Sequence, residues 1–274
     1  MRGFYEEYHG HKSEHIELLI KSARQQSKNI IFLAGDSTLD NKVWLLRSNI
    51  ERGVAPKIYD QFMDSCVKDV AYNLNVILSD DYICINCAVE ESSLSEHNTT
   101  SLIQDNLIRD NIQENDILVV SVGGNDVILK PTLQTIMSLG SLLLMNDYYN
   151  TIPYQYICKI FHQDLNLYIK YLTDKSSPKD IVICSPYFPH EANVDSWANT
   201  SLKLLGYDNN PQKIHKLIRD VHRDAIEKIE IGYKVALCDV LDSSKESNDY
   251  LFRVEPSHVG GSKIAHEIIK LLNI

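Results

Sequence analysis

The chain has 274 residues, 44% of them hydrophobic, which suffices for one large domain with a buried core. Its formal net charge of −10 is spread along the chain, with no block of Lys and Arg to neutralise a run of phosphates, so nucleic acid is not expected as a partner. No stretch approaches ~20 uninterrupted apolar residues, the start MRGFYEEYHGHKSEH lacks a signal-like apolar run, and the six cysteines sit mostly in apolar segments, so a soluble, cytoplasmic protein with reduced thiols and no membrane span is expected.

In chain order, residues 1–28 read as an N-terminal extension and a helix, whose apolar stripe is Ile16, Leu19, Ile20 and Ala23. His9, His11 and His15 precede or open that helix and read as a solvated end. A first strand at 29–34 leads into Gly35-Asp36-Ser37-Thr38-Leu39-Asp40. Ile58, Phe62, Cys66, Val70 and Leu74 follow with helical spacing. A second strand at 82–88 runs into Asn86-Cys87-Ala88-Val89-Glu90-Glu91-Ser92. Cys84 and Cys87 form a C-x-x-C, but strand neighbours at that spacing face opposite ways and no second pair exists, so no metal site is expected.

A third strand at 116–122 ends in Gly123-Gly124-Asn125-Asp126, and a fourth spans 180–185. Residues 186–210 are too long for an ordinary connection and are expected to rim a binding site, with His190 and Trp197 on it. Ile214, Leu217, Ile218, Val221 and Ala225 mark another helix. A fifth strand is expected at 234–240 and a polar surface loop at 242–249. Glu255-Pro256-Ser257-His258 then precedes a last helix carrying Ile264, Ala265, Ile268 and Ile269.

Strands alternating with helices imply an α/β fold: a three-layer α/β/α sandwich on a central five-stranded parallel sheet, as a single domain over 1–274. Ligands on such sheets bind beyond the carboxyl ends of the strands, where the GDS, NCAVEES and GGND segments converge. A serine hydroxyl needs a base to accept its proton, and the base works best when a carboxylate orients it, so Ser37, His258 and Glu255 are the candidate catalytic residues. Backbone N–H groups of Ser37 and Glu91 and the Asn125 amide are the candidate oxyanion donors. Singly, each motif also has a plain structural reading, with Asp36 or Ser37 as a helix cap and Gly123-Gly124-Asn125-Asp126 as a turn. Asp40 and Asp126 read as bracing residues.

Together the four blocks, in this order and across almost the whole chain, resemble the SGNH or GDSL hydrolases, with Ser37 in GDS, the block from Asn86 to Ser92, Asn125 in GGND and His258 in EPSH. The resemblance implies a flavodoxin-like fold and a serine esterase acting on a small-molecule acyl ester without metal or cofactor. Two positions depart from the family pattern. Glu91 stands where glycine is usual, and an inward carboxylate there would oppose an oxyanion by about 4 kcal/mol at about 4 Å and an effective dielectric of about 20. Glu255 stands where aspartate is usual, three residues before the histidine, a change that Ser-His-acid hydrolases tolerate.

Three rivals remain in view. A binding module on the same sheet is weakened by the absence of a dinucleotide or phosphate-loop fingerprint. A catalytically weak or inactive relative is motivated by Glu91 and Glu255. An α/β-hydrolase is disfavoured because Leu39 occupies the second glycine of G-x-S-x-G. The acyl and alcohol parts of the substrate and the oligomeric state are left open by the sequence.

Overall fold

The computed structural model describes residues 3–274. Strands β1 (Asn29–Gly35), β2 (Tyr82–Asn86), β3 (Ile117–Ser121), β4 (Asp180–Cys184) and β5 (Tyr233–Val235) form a parallel sheet in the order β2-β1-β3-β4-β5. Strand β1, interior to the sheet, is buried from Ile30 onward, as its unbroken apolar run requires of a strand covered on both faces. Ile30, Phe32 and Ala34 pack with Ile16, Leu19 and Ala23 of the Ser13–Gln25 helix and with Tyr168 and Ile169 of the Leu165–Leu172 helix. The alternate residues Ile31 and Leu33 pack with Val70 and Leu74 of the Val70–Ile77 helix and with Ile264, Ala265 and Ile268 of the His258–Leu272 helix. The period-2 alternation of β1 thus creates the two cores of a three-layer sandwich.

Two elements differ from the sequence reading. The stripe from Ile58 to Leu74 is not one helix: Gly53–Val54 pairs antiparallel with Ser65–Cys66, and the helix starts only at Val70, where the Asp69 side chain accepts from the Tyr72 N–H at 2.8 Å. The fifth strand stops at Val235, and Leu237–Val240 forms a helical turn whose Leu237 N–H donates to Ser185 Oγ at 3.2 Å. Between β3 and β4, the Leu133–Leu144, Ile152–Lys159 and Leu165–Leu172 helices build a layer that the sequence reading leaves unnamed. Among the described residues, no helix is long and apolar enough to cross a membrane.

Candidate active site

β1 ends where it approaches β3 closely. Gly35 has φ +126°, and a Cβ there would lie 1.8 Å from the Ser121 carbonyl oxygen, so only glycine fits. The Asp36 N–H donates to that same carbonyl at 2.9 Å, and the chain then turns, with the Leu39 and Asp40 N–H groups both bonding to the Asp36 carbonyl. This turn sets Ser37 at the carboxyl edge of the sheet, in a cleft of about 70 Å³ whose walls include Asp36, Asn125, Tyr187, Trp197 and Glu255. Of the segment 186–210, Pro186, Tyr187, Pro189 and Trp197 line this cleft.

Glu255 is fully buried, and its Oε1 accepts from Trp197 Nε1 at 3.3 Å. Among the described residues its Oε2 has no partner in hydrogen-bonding geometry. Burial pushes the Glu255 carboxyl well above the ordinary range; the Trp197 N–H and the Ser37 hydroxyl favour its ionised form, and the Asp36 charge opposes it. Asp36, also on the cleft, is raised by burial to about 6 against the pull of the Thr38 N–H and hydroxyl. Glu90 is a third buried carboxyl. Its Oε1 accepts from Trp44 Nε1 at 2.8 Å, its Oε2 is unpartnered among the described residues, and burial and the nearby Glu255 raise it strongly.

His258 is not where the sequence reading expects it. Glu255–Pro256 is a short strand paired with Tyr250–Leu251, and Ser257 caps the last helix by accepting the Val259 and Gly260 N–H groups at 3.1 and 3.2 Å. His258 is therefore the first helical residue, on the same face as Ser262 and His266, four and eight positions on, while Gly261, Ile264, Ala265 and Ile268 face the core. It is exposed, and among the described residues no histidine lines the Ser37 cleft. The Ser37, His258 and Glu255 triad is not assembled; the carboxyl of Glu255, and no imidazole, stands beside Ser37.

Of the three expected oxyanion donors, Ser37 and Asn125 line the cleft and Glu91 does not. The Asn125 amide donates to the Ser92 carbonyl at 2.9 Å, leaving a second N–H of that amide. Glu91 has φ +62°, and its carboxylate is drawn off by the Tyr8 hydroxyl, which donates at 2.8 Å. Asp40 and Asp126 brace the site. Asp40 pairs with buried Lys42 at 2.5 Å and accepts the Glu90 and Gly10 N–H groups, both at 2.8 Å. Asp126 accepts the Leu94 and Ser95 N–H groups at 2.7 and 3.0 Å, at the start of the Leu94–Thr100 helix.

The N-terminal extension is part of this bracing, through Tyr8, Gly10 and His9, whose Nδ1 lies 3.0 Å from the Glu90 carbonyl. His11 is likewise buried against Phe4, where a solvated end was expected. His190 is spent on the Ser244 carbonyl at 2.9 Å and does not line the cleft. A buried chain that the sequence reading missed runs beneath Asn125. His97 Nδ1 lies 2.7 Å from Asp105 Oδ2 and its Nε2 2.9 Å from Ser92 Oγ, while the Tyr168 hydroxyl donates to Asp105 at 2.7 Å. Its only sequence signal is the polar residues at 92, 97 and 105 between apolar strands.

Among solved structures, a lipase from a goat rumen metagenome is similar at 13% identity, with a TM-score of 0.52 over 89% of this chain and 97% of that one. A carbohydrate acetylesterase from Sinorhizobium meliloti is similar at 14% identity, with a TM-score of 0.51 over 90% and 99%. A GDSL-like lipase from Parabacteroides merdae is similar at 14% identity, with a TM-score of 0.50 over 89% and 95%. The fold is that of the SGNH hydrolases. No protein-family model and no curated protein matches the chain by sequence.

Proposed function

We propose that this protein hydrolyses a small acyl ester at Ser37, with Glu255 in the role that the sequence reading gave to His258. The observation that carries this is that Ser37 and a buried carboxyl whose Oε2 is unpartnered among the described residues stand on the wall of one cleft. Ionised Glu255 takes the Ser37 proton as Oγ bonds to the acyl carbon and the carbonyl electron pair moves onto oxygen. The free N–H of the Asn125 amide and the Ser37 backbone N–H serve that oxyanion. On collapse the bond from carbon to the alcohol oxygen breaks, protonated Glu255 returns the proton to the leaving alcohol, and the acyl group stays on Ser37. Water then repeats the sequence and restores both residues.

Ser37→Ala and Glu255→Gln should each lower turnover of short esters by about a thousandfold or more, because groups acting as a unit fail together. His258→Ala should turn over at the wild-type rate. Full activity in Glu255→Gln, with loss in His258→Ala, would overturn the assignment. A second reading, a binding protein with weak or no catalysis, is favoured by the lack of an imidazole on the cleft among the described residues. A fluorophosphonate probe that leaves Ser37 unlabelled in folded protein selects that reading.

A further inference from the structure

Beside the Ser37 cleft lies a second cavity, of about 80 Å³, walled by Val127, Leu139, Phe161, Leu202, Leu217 and Val221 among other apolar side chains. The two spaces share Gly124, Ile128, Pro186, Tyr187 and Pro189 as lining residues. Gly124 borders both, and the space beside it is open: a Cβ at that position would meet nothing within 4 Å. The side-chain polarity of the second cavity is limited to the Tyr187 hydroxyl, and that hydroxyl is already donated to the Val254 carbonyl. A phosphate entering here would lose its water and find no side-chain donor among the described residues, and a sugar hydroxyl or an ammonium group would find at most the one accepting oxygen of Tyr187, at a cost that apolar contact does not return. A methylene chain loses nothing of the kind.

We propose that this cavity holds the aliphatic chain of the acyl group whose carbonyl carbon meets Ser37, the chain passing Gly124 and Ile128 into the layer of helices between β3 and β4. The assignment rests on the hydrolase reading and narrows it to esters of aliphatic acids longer than acetate. The cleft itself supplies the polar end, with Ser37, Asn125 and Glu255, and the cavity supplies the apolar end.

The test is kcat/KM for p-nitrophenyl esters from acetyl to decanoyl. Each methylene entering the cavity should raise it about fourfold, until the cavity is full and the trend levels or reverses. Gly124→Leu, at a position with open space and no unusual φ, should obstruct that space, and Val221→Phe should fill the far end. Both should lower the ratio of hexanoyl to acetyl turnover about tenfold or more, while Leu217→Ala should move the preferred length upward. A flat or falling series from acetyl, or a dependence on the length of the alcohol instead, overturns the assignment.

A second measurement separates this failure from failure of the hydrolase reading. The melting temperature of Ser37→Ala is recorded with 2-alkanones from acetone to 2-decanone. Stabilisation that grows with chain length and is lost in Gly124→Leu supports the cavity even if no ester is cleaved, in which case the hydrolase reading alone falls. Ester cleavage without any chain-length dependence in either measurement removes the cavity assignment and leaves the hydrolase reading standing.

Discussion

A buried carboxyl acts as a base only where it is ionised, and burial places that range for Glu255 well above that of an ordinary glutamate. kcat/KM should therefore climb as pH rises past the usual carboxyl range toward and beyond neutrality. Trp197→Phe removes an N–H that favours the ionised form, so the rise should move to higher pH. A rise near the ordinary imidazole value that disappears in His258→Ala would contradict this. Glu91 poses a different residue-scale problem. At φ +62° a side chain carries strain that glycine relieves, while Glu91→Gln keeps the strain and weakens the bond from Tyr8. Melting curves should show Glu91→Gly no less stable than Glu91→Gln; a clear deficit for the glycine variant would mean that the Tyr8 contact outweighs the backbone.

At the level of elements, the corner after β3 and the loop after β2 are held together through one residue. Ser92 accepts the Asn125 amide on its carbonyl and meets His97 on its hydroxyl, and His97 is anchored by Asp105. His97→Ala leaves a buried carboxylate and a hydroxyl short of a partner, which should cost at least about 2 kcal/mol, roughly 4–8 °C in melting temperature. Asn125→Ala should reduce turnover about 10²–10³-fold and, because it also removes the bond to the Ser92 carbonyl, should lower the melting temperature too. If His97→Ala melts like wild type, the chain does not brace the corner. The strands were legible because buried parallel strands read as apolar runs, and the ends of β1 and β3 could be placed because Gly35 and Gly123 stand where the backbone turns. The same runs misled where composition does not set conformation: residues 237–240 are as apolar as a strand yet form a helical turn, and the spacing from Ile58 to Leu74 spans a strand pair before its helix begins. Glu255 and His258 were both singled out, but which of them faces Ser37 is decided by Ser257, whose cap makes His258 the first helical residue and turns it outward. A three-residue spacing does not show where strand gives way to helix.

Across the whole molecule, the net charge of −10 and the buried carboxyls Asp36, Glu90 and Glu255 act on stability with the same sign, and they can be separated. A carboxyl whose pKa is raised in the folded state holds a proton there that the unfolded chain has already lost. Its contribution is fully present below the ordinary glutamate range and disappears as pH rises through the raised folded value. Surface self-repulsion also grows with pH, because the chain becomes more negative, but salt screens it, whereas the Glu90 and Glu255 carboxyls are out of solvent and screened far less. Melting temperatures from about pH 5 to 9 in roughly 1 M salt should therefore still fall with pH. Glu90→Gln retains an oxygen to accept from Trp44 Nε1 but has no proton to lose, so its advantage over wild type should widen as pH rises and should persist at high salt. A gap that stays constant with pH would mean that Glu90 ionises normally in the folded protein. A gap that widens only at low salt would place the effect at the surface and take Glu90 and Glu255 out of the pH dependence of stability.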